Sequence, residues 1–128
     1  MAGAAAPFAY LGTSGFATVV LDGLLAADLA PALVVAPPDR PKGRGRRIQP
    51  PPVAARAIQL ELPLHQTADV NSDVSRAALA AAGPALGVVC AFGQLLRAPL
   101  LEELEMLNVH PSLLPRWRGA APIQRAML

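Results

Sequence analysis

This sequence predicts an α/β fold: a mostly parallel sheet with helices on both faces. Two observations carry it. Short uncharged aliphatic runs, such as Phe8–Gly12, Ala32–Ala36 and Leu86–Ala91, alternate with longer segments of helical character. Strands buried on both faces read as continuous apolar runs, and their alternation with helices is the mark of a parallel sheet. The composition agrees, with 53% hydrophobic and 16% charged residues over 128 positions, enough for one domain with a sizeable core. Aromatic residues are only 4%, so that core is aliphatic.

In order along the chain, Phe8–Gly12 is the first strand and Thr13-Ser14-Gly15 a turn, with Ser14 placed to cap a helix over Gly15–Leu29. Ala32–Ala36 is a second strand. Residues 37–52 carry Gly and Pro throughout and are expected to form no regular element. Val53–Gln59 suits a short helix, and Leu62–His65 a short strand whose Leu-Pro-Leu spelling suggests a sheet edge. A helix is expected over Asn71–Ala82, capped by Asn71 or Ser72, then an apolar strand over Leu86–Ala91. Pro99–Glu105 reads as helical, Met106–His110 as the last strand, and Pro122–Leu128 as the start of another helix. Ending inside that pattern, the chain reads as a fragment of something longer.

Right-handed crossovers place the loops after the strands on one edge of such a sheet, where ligands bind in open α/β folds. Those loops are residues 12–15, 37–52, 92–95 and 110–121.

Net charge is +2, but residues 39–47 alone carry +4, leaving −2 for the rest. The basicity is therefore local: Arg40, Lys42, Arg44, Arg46 and Arg47 crowd a Gly/Pro segment. A solvated charge run is one reading and a phosphate-contacting arm the other. Arg116, Arg118 and Arg125, with Trp117 among them, add positive charge beyond His110, and two basic clusters on one sheet edge favour an anionic partner. The single cysteine, Cys90, excludes an internal disulfide and points to a reducing, cytoplasmic setting. It lies in an apolar strand and reads as an inert core thiol. Residues 1–21 and 77–96 carry no charge, but Pro7, Gly12 and Gly15 break the first and Gly83-Pro84 the second, against a membrane span. His65 has no His or Cys near it in sequence and reads as structural. No metal-ligand spacing occurs, so no metal is expected.

Asn108 and His110 stand at a strand end, and alternation points both to one side. A carboxamide and an imidazole together suit acyl transfer: Asn108 donates to a developing oxyanion, and His110 donates to it or exchanges a proton with an amine. From spacing alone the signal is weak, and a hydrogen-bonded structural pair is the more ordinary reading.

The run Asn108-Val109-His110-Pro111-Ser112-Leu113-Leu114-Pro115-Arg116-Trp117-Arg118-Gly119-Ala120-Ala121-Pro122-Ile123-Gln124-Arg125-Ala126 closely resembles the signature of the methionyl-tRNA formyltransferase family. Gly12-Thr13-Ser14-Gly15-Phe16-Ala17 resembles its first turn, where the family has proline at the position of Ser14. Residues 38–45 resemble its basic loop, and Ala91-Phe92-Gly93 its Ala-Tyr-Gly. The chain also departs at Arg97 and Glu105, where proline and glycine are usual.

The resemblance implies a Rossmann-like formyltransferase domain, incomplete on its C-terminal side over residues 1–128. It implies transfer of a formyl group from 10-formyltetrahydrofolate, the co-substrate, to the amino group of methionyl initiator tRNA. Asn108 and His110 match two members of the family's catalytic set. The third, an Asp, falls beyond Leu128, as does the family's tRNA-binding barrel, so the fragment alone is expected to be inactive. Folate is expected against Val88, Val89, Phe92, Gly93, Leu95, Ser112, Leu113, Leu114 and Pro115. The tRNA is expected on Arg40, Lys42, Arg44, Arg46 and Arg47, Arg44 matching a key arginine. A monomer is expected. The rivals are a folate formyltransferase for an amino sugar or a ribonucleotide amine, and a non-catalytic nucleic-acid-binding module.

Overall fold

The computed structural model describes residues 6–110 and the strand at 123–125. In chain order the elements are β1 (Phe8–Gly12), α1 (Gly15–Ala26), β2 (Leu33–Ala36), β3 (Arg40–Lys42), β4 (Arg47–Gln49), α2 (Pro52–Gln59), β5 (Leu64–Gln66), α3 (Asp73–Ala82), β6 (Leu86–Cys90), α4 (Leu100–Glu103), β7 (Met106–Val109) and β8 (Ile123–Arg125).

Strands β5-β2-β1-β6-β7-β8 form one sheet in that order. The first five run parallel, with β1 between β2 and β6 (Tyr10 opposite both Val34 and Val88), and β5 is the expected edge strand. Side chains alternate between two aliphatic layers. On one face Tyr10, Val34 and Cys90 pack with Ala17 and Leu21 of α1 and with Val53, Ala54 and Ala57 of α2. On the other, Leu11, Val35, Val89 and Met106 pack with Leu79 of α3 and Leu100 of α4. Burying both faces of β1 completely explains its unbroken apolar spelling.

Ser14 caps α1, its hydroxyl accepting the Ala17 N–H, and takes the place the family gives to proline. The helix stops at Ala26 rather than Leu29. Asp28 turns left-handed at φ 65°, and the Leu29 N–H folds back on the Leu24 carbonyl at 2.9 Å, closing the end early. Ser72 caps α3, and α4 keeps only Leu100–Glu103 of the expected helix. Strand β5 is displaced to Leu64–Gln66, because Val34 N–H bonds the Pro63 carbonyl and sets the register there.

Two expectations are corrected. Residues 37–52 are not without regular structure: Arg40–Lys42 and Arg47–Gln49 pair as an antiparallel hairpin. Within the expected helix of Pro122–Leu128, Ile123–Arg125 is instead a strand antiparallel to β7, so β7 is not the last strand; the rest of that stretch lies outside the described residues. Pairing along the open edge of β7 outweighs the helical preference of that stretch.

Gly12 closes β1 where space runs out. A Cβ there would lie 2.9 Å from the Ala17 Cβ and 3.0 Å from the Cys90 carbonyl. The absence of a side chain lets α1 start directly against the end of β6.

Candidate functional site

The loops after β1, β2, β5 and β6 meet at one edge of the sheet, as the parallel topology requires. Thr13 stitches three of its pieces together. Its N–H donates to the Ala91 carbonyl at 3.1 Å, its hydroxyl donates to the Phe92 carbonyl, and its own carbonyl accepts the Val53 N–H that opens α2. Ala91 takes a positive φ of 47° to make the turn out of β6. Between these loops lies a cleft of about 440 Å³, lined by Thr13, Pro37, Pro38, Asp39, Arg40, Pro51, Ala68, Phe92, Gly93 and Gln94.

The hairpin forms one side of this cleft through Asp39 and Arg40. Arg40 sits opposite Gln49, Pro41 opposite Ile48, and Lys42 opposite Arg47. Alternation gives it two unlike faces: Arg40, Lys42, Arg47 and Gln49 on one, Pro41 and Ile48 on the other. Ile48 is 64% exposed. The connecting turn, Gly43–Arg46, closes through an Arg46 N–H to Gly43 carbonyl bond of 3.1 Å, with positive φ at Gly43, Gly45 and Arg46. Two of those positions are glycine, which adopts that backbone freely. All five cations are exposed, and Lys42 faces Arg47, a like-charge cross-strand pair that costs stability. Among the described residues none of the five joins a salt bridge; those found are Arg56–Asp22, Arg76–Asp73 and Arg76–Glu103.

Asn108 lies in β7, opposite Val89 of β6 on one side and Gln124 of β8 on the other. It is half-buried and shares a sheet face with Met106 and Val89, the face on which Phe92 and Leu96 pack. Its side chain makes no hydrogen bond to another described residue. His110 follows the strand and is exposed. Asn108 and the start of the 92–97 loop are thus brought to one face, near the ligand edge. Val88 and Val89 lie inside β6, Val89 buried in the core, while Gly93 and Leu95 are exposed and Phe92 is buried under the cleft. Ser112, Leu113, Leu114, Pro115, Arg116, Trp117 and Arg118 lie outside the described residues.

Cys90 is fully buried, and burial pushes its thiol pKa up against a smaller opposing effect of the Tyr10 hydroxyl. Burial likewise raises the Tyr10 phenol, which donates to the Ala17 carbonyl at 2.6 Å. Neither is a nucleophile in this setting. His65 Nε2 lies 3.0 Å from the Ser75 hydroxyl, within a structural network under β5. Among the described residues no group of three His, Cys, Asp or Glu could hold a metal, and no helix is long and apolar enough to cross a membrane.

Comparison with known proteins bears on this geometry. Residues 8–128 match the family described as formyl transferase. The chain belongs to the formyl transferase family. Curated relatives named methionyl-tRNA formyltransferase include one from Nitrosococcus oceani, 51% identical over 93% of this chain and 38% of its own length. Another, from Halorhodospira halophila, is 48% identical over 97% of this chain and 40% of its own. This formyl transferase chain therefore spans about two fifths of the length of those relatives. Among solved structures, glycinamide ribonucleotide transformylase 1 from Symbiobacterium toebii superposes with a TM-score of 0.59 at 23% identity, covering 92% of this chain and 57% of the other. The same enzyme from Geobacillus kaustophilus gives 0.58 at 20% identity, covering 92% and 65%. These two show a shared fold.

Sequence reasoning missed the residues that tie together the loops at this edge of the sheet. Gln66, Asn71 and Gln94 are polar side chains whose partners lie 24 to 29 residues away, so no local pattern announces them. Asp39 is visible in the sequence only as the lone acid in a basic run.

Proposed function

We propose that this chain forms the formyl-transfer site of an enzyme that moves a formyl group from 10-formyltetrahydrofolate to the amino group of methionyl initiator tRNA, the step that prepares it for translation initiation. The observation that carries this reading is the basic hairpin: five exposed cations, outside any salt bridge among the described residues, on an arm that joins the cleft rim at Arg40. A small amino sugar or ribonucleotide does not require a projecting cationic arm. An acceptor stem does, because phosphate contacts dominate nucleic-acid affinity. The names of the curated relatives support the same reading.

In the reaction the amine nitrogen attacks the formyl carbon, negative charge gathers on the formyl oxygen, and the bond from that carbon to N10 of the folate breaks. The proton lost by the amine ends on N10. Asn108 serves as the oxyanion donor through Nδ2, its backbone fixed between β6 and β8 so that the carboxamide keeps its aim. His110 donates to the same oxygen or carries the amine proton. The folate lies against the 92–97 loop, with Leu95 offering an apolar contact to the flat pterin. The hairpin grips the acceptor end, Arg44 at its tip.

The test is a chimera in which residues 8–128 replace the matching stretch of the Nitrosococcus oceani relative. Supplied with 10-formyltetrahydrofolate, it is expected to formylate methionyl initiator tRNA and to leave glycinamide ribonucleotide and sugar-nucleotide amines untouched. Preference for either small amine would overturn the reading.

A further inference from the structure

We infer that Asn71 and Gln94 are positioning residues for the folate-side loop, holding residues 92–97 in the shape that receives the pterin. This rests on the formyl-transfer reading and adds to it a structural cause for the loop's shape.

The loop has little else to hold it. Residues 92–96 make no backbone–backbone hydrogen bond with another described residue; the Ala91 carbonyl before them is held by Thr13, and the Arg97 carbonyl after them starts α4. Apart from the Thr13 hydroxyl on the Phe92 carbonyl, what anchors the loop is a pair of side-chain amides working in opposite directions. From the loop, Gln94 Oε1 accepts the Val70 N–H at 2.9 Å while its Nε2 donates to the Thr67 carbonyl at 2.9 Å. Toward the loop, Asn71 Nδ2 donates to the Leu95 carbonyl at 2.8 Å while its Oδ1 accepts the Arg97 N–H at 2.8 Å. Each carboxamide thus satisfies a backbone donor and a backbone acceptor on the other strand of chain.

The second clamp has a particular consequence. The Leu95 carbonyl and Arg97 N–H flank Leu96, so the Asn71 amide docks on them as a neighbouring strand would. Held this way, consecutive side chains diverge. Leu96 packs into the core layer with Leu100 and Val89, and Leu95 is turned out, 70% exposed. An exposed leucine is ordinary by itself. One held outward by two hydrogen bonds, beside Asn108's face of the sheet, is a preformed apolar contact. Preorganisation of this kind raises affinity by removing the ordering cost from the binding step. Asn71 itself is braced, its N–H donating to the Asp69 carboxylate at 2.9 Å.

Asn71→Asp keeps the shape but sets a carboxylate oxygen against the Leu95 carbonyl, and Gln94→Glu does the same at Thr67. In the chimera with the Nitrosococcus oceani relative, binding of 10-formyltetrahydrofolate is measured by calorimetry, tRNA binding by filter retention, and exchange of the Arg97 and Val70 amides by NMR. The expected result is at least a tenfold loss of folate affinity in either variant, tRNA affinity unchanged within twofold, and faster exchange at the Arg97 or Val70 amide as the carbonyl repels the new carboxylate and draws its acceptor oxygen away. A general structural role would lower both affinities together, and that outcome overturns the inference, as does unchanged folate affinity alongside a released Arg97 amide. Should Asn71→Asp fail to fold, Asn71→Ala and Gln94→Glu are read the same way. A chimera with residues 8–128 unaltered that takes up no folate overturns the formyl-transfer reading, and the positioning role with it. Normal wild-type binding with indifferent variants overturns the positioning role alone.

Discussion

The Gln66 carboxamide reaches across from the edge strand to the Asp39 carboxylate at 2.7 Å and to the Pro37 carbonyl at 3.1 Å. Both protons of one Nε2 are spent on the root of the hairpin, and the single acid of the basic segment is committed to it. The hairpin therefore leaves the sheet at a fixed angle although every residue from Arg40 to Gln49 is exposed.

Gln66→Leu removes both bonds, one of them to a charged acceptor. Hydrogen bonds of this kind contribute roughly 0.5–3 kcal/mol each, so tRNA affinity should fall about tenfold as the hairpin loses its orientation. Folate affinity should stay level. Equal affinity for tRNA in wild type and variant would show that the root needs no brace.

Asn108→Ala and His110→Ala, each in the chimera, should lower turnover far more than tRNA affinity. The loss of one oxyanion donor costs roughly 10²–10³-fold in rate. Single-turnover formylation at saturating tRNA measures it. Near-normal turnover in either variant would reduce that residue to a structural part.

Replacing Arg40, Lys42, Arg44, Arg46 and Arg47 by Ser should flatten the dependence of log affinity on log salt by several units, at roughly 0.7–0.9 for each phosphate no longer neutralised. Arg44→Lys should weaken tRNA use alone, since a guanidinium makes forked contacts that an ammonium does not. The melting temperature should hold in both variants or rise, because the Lys42–Arg47 repulsion goes in the first. An unchanged salt slope would leave the hairpin a solvated charge run.

The Tyr10–Cys90 pair predicts an alkaline limit to stability. Burial holds both groups protonated in the native state, so each has a folded pKa above its unfolded one. Their contribution is complete below about 8.5, the ordinary thiol value, and declines as pH rises past that and then past about 10, the ordinary phenol value. Urea midpoints should be level from pH 7 to 8 and fall by pH 10.5, and Cys90 should resist alkylation at pH 8 until the chain unfolds. Rapid labelling of the native thiol would contradict this.

Gly12→Ala should cost roughly 1–3 kcal/mol, the usual range for overpacking a filled interior. The added methyl meets the Cys90 carbonyl, which is backbone held in β6 and has nowhere to move. A denaturant midpoint equal to wild type would show that α1 can shift instead.

Strands buried on both sides announce themselves: β1 matches its expected bounds to the residue, and β6 differs by one position. The hairpin does not, because its strands are three residues long, wholly exposed and interrupted by Pro41, leaving no buried alternation to detect. Residues 123–125 mislead for the opposite reason. Ile, Gln and Arg before Ala, Met and Leu suit a helix locally, and only the vacant edge of β7 makes them a strand. Asn108 and His110 stand out in the sequence by adjacency and residue type, and the structure places Asn108 in β7 with His110 directly after it. The amides of Asn71 and Gln94 do not stand out, since what gives them meaning is the meeting of two loops far apart in the chain.

The hairpin's exposure also makes it, among the described residues, a place where a protease with basic specificity meets the fold. Lys42–Gly43, Arg44–Gly45, Arg46–Arg47 and Arg47–Ile48 are four closely spaced scissile bonds on a projecting turn, whereas Pro41 shields the bond after Arg40. The same residues that would lie under a bound acceptor stem are open to a trace of trypsin. The rate of nicking at this one turn is thus a native reporter of whether the arm is occupied, read without altering a single residue.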